Sequence, residues 1–455
     1  MSSSGDAEFL IEPRWLLPFT PGSTVLEGQA VAVGDGRILA IGPAMELRLR
    51  YGSCPRIARE RHALLPGLVN AHTRACHTLL RGLPVRGPRL RWLDETLTPL
   101  ERRALTADLV RDGTRLGLAE MLRAGITCYA DDSPLPEEAA RVAAAAQVRA
   151  LIGLPVKDGA DAWAEDANAH LGRAEALWDE YRTHVRIGLY FMPQPAQGLS
   201  DGTLMRLRRV ADELDARVVI HLDELPELPD GISIEAHGDT ARDGVGSVAD
   251  GIHRTRWTSS PRRLTHLQSL GLLRAGFGAI GGLGCHAEEA QLLARHGAAL
   301  IACPQAELRL QRERVPLPAS RPVALGTDTP AAAGALDMLA EARCAALLFG
   351  LMPLEALRLA TLGGAMALGL GAQIGSIEAG KSADLACIDL DAAGCRPVMD
   401  VAAAILFGAT RAQINDVWCS GRAAVSEGRL RLFDEAELAG LAAHWTRRLA
   451  LEAAA

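Results

Sequence analysis

Four polar residues, each closing an apolar strand-like run, carry the chemistry that this sequence offers. His72 follows LPGLVNA, His221 and Glu224 close VVIHLDE, and Asp328 closes VALGTD. Two imidazoles and a carboxylate from different strands make a catalytic metal set of the zinc type, with one position open to water. Glu224, one turn beyond His221, is placed to pass protons between that water and a substrate. Taken singly, each residue reads more naturally as the cap of the helix after its strand, because strand-to-helix turns are rich in polar caps. Their joint occurrence favours a site. The spacing then breaks. Where a metal shell asks for His-x-His, the chain has His72-Thr73-Arg74, and a guanidinium, always protonated, cannot ligate a metal.

The elements that would position these residues alternate along the chain. From residue 64 to about 370, strand-like runs such as ITCYADD, VRIGLYFMP, ARVVIHLDE, AALIACP and PVALGTD separate Ala/Leu/Arg-rich helical stretches. Such alternation predicts βα units and a parallel sheet, over a span that suits a (β/α)8 TIM barrel. Barrel sites collect side chains from the C-terminal ends of strands, which is where the four residues lie. Residues 1–63 contain a hairpin signal, GQAVAVGDGRILAIGP, with Gly-Asp-Gly between two alternating segments. The pattern returns to β over 371–430, and 431–455 reads as a closing amphipathic helix, about 434–453. The expected fold is therefore α/β: a barrel over 64–370 plus a small β-sandwich built jointly from 1–63 and 371–430. Residues 226–265, rich in Gly, Asp, Ser and Pro, read as a long loop over the catalytic face.

Composition bounds the rest. A chain of 455 residues suits a large barrel with a minor domain, and its net charge of −7 disfavours non-specific binding to nucleic acid or anionic membranes. Lys157 and Lys381 are the only lysines beside many arginines, a bias that with the heavy Ala content suggests a GC-rich bacterial genome. The nine cysteines contain no C-x-x-C pair, which favours free thiols in a reducing cytoplasm. Neither a signal peptide nor a membrane span is read. The expected partner is a small-molecule substrate, with a homodimer left open.

The segments LLPGLVNAHTRACHTLLRGL, IHLDE, ACPQAELRL, LGTDTPAAAGALDMLAEARCAALL, ATLGGAMALGL and IGSIEAGKSADLACIDLD, in order and almost end to end, resemble the amidohydrolase superfamily. The similarity is to the branch holding cytosine-, guanine- and adenosine-type deaminases and s-triazine chlorohydrolases. It implies a barrel with a terminal β-sandwich, usually one divalent metal, and hydrolytic loss of ammonia or a similar leaving group. Carried over by position, His72 and His221 match metal ligands, Glu224 the proton-shuttling carboxylate and Asp328 the last ligand. Three positions depart. Arg74 replaces the second His of the first pair, Gly281 stands where a strand-six His is expected, and Pro193-Gln194-Pro195-Ala196 replaces a Pro-His-Ala-Pro-like stretch.

These departures shift the expected chemistry. His72, His221 and Asp328 still supply three ligands for zinc or iron, but a fixed positive charge at Arg74 would repel a dication in a closed site. Such a guanidinium pairs more naturally with Asp328, Asp223 or Glu224, so no metal is favoured. Arg74, Gln194 and Asp223 are the expected substrate contacts, and Glu224, Asp328, His221, His72 and Arg74 the catalytic set. Cys76, His77, Cys285 and His286 read as packing or caps, His286 as part of a helix start; His237 and His253 lie in the long loop and read first as ordinary surface histidines, with closure over the site to supply a missing ligand as the alternative. The function expected is hydrolysis of a non-peptide C–N bond in a heterocycle, amidine or cyclic amide. The alternatives are a metal-independent lyase, cyclase or lactone hydrolase on the same barrel, and a non-catalytic relative that binds a ligand or partner.

Overall fold

A computed structural model describes residues 6–194, 199–225, 262–310 and 323–454. His237, His253, Pro195 and Ala196 lie outside them. The strands, in chain order, are β1 (Phe9–Leu16), β2 (Leu26–Glu27), β3 (Gln29–Gly34), β4 (Arg37–Pro43), β5 (Arg56–Pro66), β6 (Leu68–Thr73), β7 (Ile126–Asp131), β8 (Arg149–Val156) and β9 (Ile187–Pro193). They continue with β10 (Val218–His221), β11 (Phe277–Ile280), β12 (Ala299–Ala302), β13 (Ala324–Leu325), β14 (Leu385–Asp389), β15 (Ile414–Cys419), β16 (Arg422–Ser426) and β17 (Arg429–Leu430).

Strands β6 to β13 form one parallel sheet in sequence order. The ring closes where Thr73 bridges Asp328 and the N–H groups of Thr327 and Asp328 donate to the His72 carbonyl at 2.9 and 3.0 Å. Closure depends on Gly326: a Cβ there would lie 2.6 Å from the His72 carbonyl oxygen, so only glycine lets the two strand ends meet. Alternate strand residues pack two ways. Val69, Cys128, Ala130, Leu151, Tyr190, Val219 and Ile301 fill the barrel interior, while Ile126, Ile152, Leu154, Phe191 and Ile220 pack outward against the helices. The fold is thus the eight-stranded α/β barrel that the βα alternation predicts.

The chain's two ends share a second sheet, ordered β17-β16-β15-β14-β5-β1-β3-β4 with β2 beside β1. β14 lies antiparallel on β5, with Leu385 opposite Pro66, which joins segments more than 300 residues apart. Asp35 and Gly36 turn between β3 and β4 with φ of 49° and 70°, the primed geometry that two-residue hairpins need. The loop read over 226–265 is corrected at its end, where Arg262 opens the helix Arg262–Ser269. The closing helix is Glu435–Ala454, with Trp445 buried against the barrel helix Ala107–Arg123 through a 2.9 Å bond from Nε1 to Asp112. Among the described residues no helix is long and apolar enough to cross a membrane.

Candidate active site

His72 is the last residue but one of β6, His221 ends β10, and Asp328 follows β13; their ligand-type atoms all lie within 4.8 Å of one another. All three are buried. Asp328 takes φ of 51°, a strained value for a non-glycine residue that turns its carboxylate into the mouth. The imidazoles meet edge to face, with Nε2 to Nε2 at 3.0 Å and His72 Nε2 3.7 Å from Asp328 Oδ1. Burial holds His72 below the usual imidazole range.

The centre of this triad is held by a residue that sequence reasoning missed, Arg89. Its Nε donates to Glu224 at 2.7 Å and lies 3.7 Å from Asp223. One terminal nitrogen bonds Asp328 Oδ2, and the other approaches His221 Nε2 at 3.2 Å. A guanidinium has no lone pair to offer, so in this contact His221 Nε2 is the acceptor, and the His72 ring nitrogen 3.0 Å away competes for that same lone pair. Arg89 is 4% exposed. Burial opposes its charge, but Asp328, Asp223 and Glu224 outweigh that and keep it protonated; in turn Asp328 sits well below the usual carboxylate range despite its own burial.

Arg74 is elsewhere. It bonds Asp132 and lies 3.5 Å from Glu101, and it makes no pair with Asp328, Asp223 or Glu224. The expected pairing is therefore corrected, for a local reason. The chain leaves the extended state at Thr73, and Arg74 (φ −129°, ψ 80°) opens the 3-10 turn Ala75–Leu80, so it no longer follows the side on which His72 points. Its nearest partner becomes Asp132, just past the end of the neighbouring strand β7. Burial raises Asp132 and Glu101, yet Arg74 on the first, and His77 with Arg74 on the second, hold both below the carboxylate range.

His77, read from sequence as packing, bridges Thr329 (Nδ1 to Oγ1, 2.9 Å) and Glu101 (Nε2, 2.9 Å). Cys76 is buried and its thiol pushed well up by burial, an inert core group. Cys285 is buried too, and His286 caps the helix Ala287–Arg295 as expected. Gly281, just after β11, has φ of 117°, and a Cβ there would face Leu222 and Asp223 at 3.5 and 3.8 Å. Glu307 ties that turn down by accepting from Leu283 N–H at 2.7 Å and Cys303 N–H at 2.6 Å. Arg74, Asp94, Thr98, Glu101, Asp132, Gln194, His221 and Glu224 line a cleft at the barrel mouth with Leu93, Met192 and Pro193. Gln194 Nε2 is 3.5 Å from Asp132.

The sequence description of the amidohydrolase family matches residues 63–424. The chain belongs to that family. As an amidohydrolase it is an enzyme of the hydrolase class read from its motifs. It is 32% identical to a 5-methylthioadenosine/S-adenosylhomocysteine deaminase of Teredinibacter turnerae, covering 99% of each chain. A relative of the same name in Halobacterium salinarum is also 32% identical, over 95% of this chain and 96% of its own. Among solved structures, an adenosine deaminase from Xanthomonas campestris with bound zinc is 34% identical, covers 98% of this chain and 99% of its own, and superimposes with a TM-score of 0.86. An atrazine chlorohydrolase from Arthrobacter aurescens, complexed with zinc, shares the fold at 20% identity, covering 96% and 99%, with a TM-score of 0.80.

Family and triad together imply a divalent metal. In type and number, His72, His221 and Asp328 suit one. In arrangement they do not: Arg89 already engages two of the three, and two cations cannot share so small a buried space without strong repulsion. As the side chains stand, the site does not fit the ion.

Proposed function

We propose that the chain hydrolyses a C–N bond of a small amine-bearing heterocycle and releases ammonia. The observation that carries this reading is the cleft's charge. Asp94, Glu101, Asp132 and Glu224 line it against the single guanidinium of Arg74, itself answered by two of those carboxylates. Such a wall attracts a neutral or cationic amine and repels an anion. Arg74 thereby orders the wall rather than seizing a substrate carboxylate. The relatives' names point to an aminopurine nucleoside as the substrate class.

Hydrolysis adds the oxygen of water to the amine-bearing carbon while a proton leaves that water. Glu224, on the cleft and anchored through Oε1, takes the proton and returns it to the departing nitrogen. A C–O bond forms, the C–N bond breaks, ammonia leaves, and the heterocycle ends as the keto tautomer. Gln194 and Arg74 touch the substrate from the wall; Asp223, 3.6 Å from His221 Nδ1 and 3.7 Å from Arg89, acts by orienting those two. His72, His221 and Asp328 form the floor.

The test is ammonia release from a panel of adenosine, its 5′-thioether derivatives, guanine and cytosine, measured with and without chelator. Turnover of an aminopurine supports the proposal. Silence across the panel refutes it and promotes a second reading that Arg89 favours, metal-independent lyase, cyclase or lactone-hydrolase chemistry, for which a lactone panel is the positive arm. Binding of a nucleoside without turnover would mark a non-catalytic relative.

A further inference from the structure

We infer that Arg89 is a tethered cation occupying the place of a metal ion, so that the triad holds either this guanidinium or a divalent ion and never both. The inference concerns the cation of the site and stands whichever substrate the cleft takes.

Every nitrogen of Arg89 that can donate is spent on the site: Nε on Glu224, the terminal pair on Asp328 and His221. A metal would need the same Asp328 carboxylate and the same lone pair of His221. The charges point the same way. Asp223, Glu224 and Asp328 converge within a buried volume, and three carboxylates there demand at least one cation. Arg89 is the one that the described residues supply, because Arg74 is turned away onto Asp132 and Glu101.

The approach of Arg89 is built into the backbone. After the 3-10 turn Ala75–Leu80 the chain doubles back through Gly82 and Gly87, both at positive φ (95° and 77°). Pro88 then starts a helical stretch from residue 89 to 104. Trp92, fully buried, donates from Nε1 to the Pro84 carbonyl at 3.1 Å and pins this segment over the mouth. The guanidinium therefore arrives on a fixed support and fills the triad without paying the entropy of a free ligand. What it cannot do is acidify a bound water, which is the service of an ion. It supplies charge alone, set against the carboxylates of Asp223, Glu224 and Asp328.

The experiment compares zinc binding by wild-type protein and Arg89→Leu, using metal per chain after dialysis and competition with a chromogenic chelator. Arg89→Leu is expected to take one zinc per chain at least about 100-fold more tightly than wild type, the scale of removing one buried like charge a few ångströms from the ion. Zinc should also raise the melting temperature of Arg89→Leu and leave that of wild type unmoved, and Arg89→Leu/His221→Ala should lose the gain. If Arg89→Leu does not fold, Arg89→Gln, neutral and able to hydrogen-bond, is read in the same way. Wild-type protein that keeps one zinc per chain through dialysis overturns the inference, whatever the variants do. So do folded variants that bind no more tightly than wild type, or a gain that survives loss of His221.

Discussion

Replacing Arg74 by alanine isolates the second arginine of the site. The Arg74 side chain is 15% exposed and that of its partner Asp132 2%. Removing one member of a buried ion pair costs about 3–5 kcal/mol, because the other charge is left desolvated and unanswered. The partial exposure of Arg74, and of Glu101 at 16%, lowers the expected loss to about 2–4 kcal/mol at neutral pH. The pH dependence fixes the cause. Asp132 and Glu101 lie below their ordinary 3.8 and 4.5 in the folded chain. Their contribution is thus present above those values and lost as pH falls through the depressed folded ones. Without Arg74, burial pushes Asp132 upward and it takes up a proton. Urea midpoints for wild type and Arg74→Ala should therefore differ widely at pH 7.5 and converge as the pH falls below about 4. A gap below about 1 kcal/mol at pH 7.5, or one of equal size at both ends, would refute the buried-pair account.

Glu224→Gln should cut ammonia release by about 100-fold or more while leaving the melting temperature close to wild type, since its amide oxygen still accepts from Arg89; an active variant would remove Glu224 from the reaction. Gly326→Ala forces a methyl to within 2.8 Å of the His72 nitrogen as well as its carbonyl oxygen, and should cost about 2–3 kcal/mol in thermal or urea unfolding by prising apart the barrel closure. Glu341, buried and accepting from the backbone and side-chain N–H groups of Gln305, is pushed up to about 8 by burial. The folded chain holds a proton there that the unfolded chain releases, so stability is full below pH 4.5 and drains away as pH rises to about 8. Glu341→Gln should then gain about 1–3 kcal/mol over wild type at pH 8.5 and nothing at pH 4.5, read from paired urea titrations.

What the sequence determined by itself is what repeats or is local. The βα alternation set the barrel, because each strand must bury both faces and each helix one. The Gly-Asp-Gly turn set the first hairpin. The rule that barrel sites sit at strand ends picked out His72, His221, Glu224 and Asp328, which the structure brings together around Arg89, and the same rule applied to ITCYADD would have picked out Asp132. Tertiary structure alone decided which carboxylate answers which arginine. Two-residue alternation sent Arg74 toward Asp328 only while the backbone stayed extended, and the 3-10 turn after Thr73 ended that. Arg89 gave no signal at all: it lies in GPRLRWL, outside any strand end and off any apolar period. Its role comes from a fold-back across the barrel mouth onto carboxylates 134 to 239 positions away, and buried charges find partners by proximity in space, which no spacing along the chain encodes.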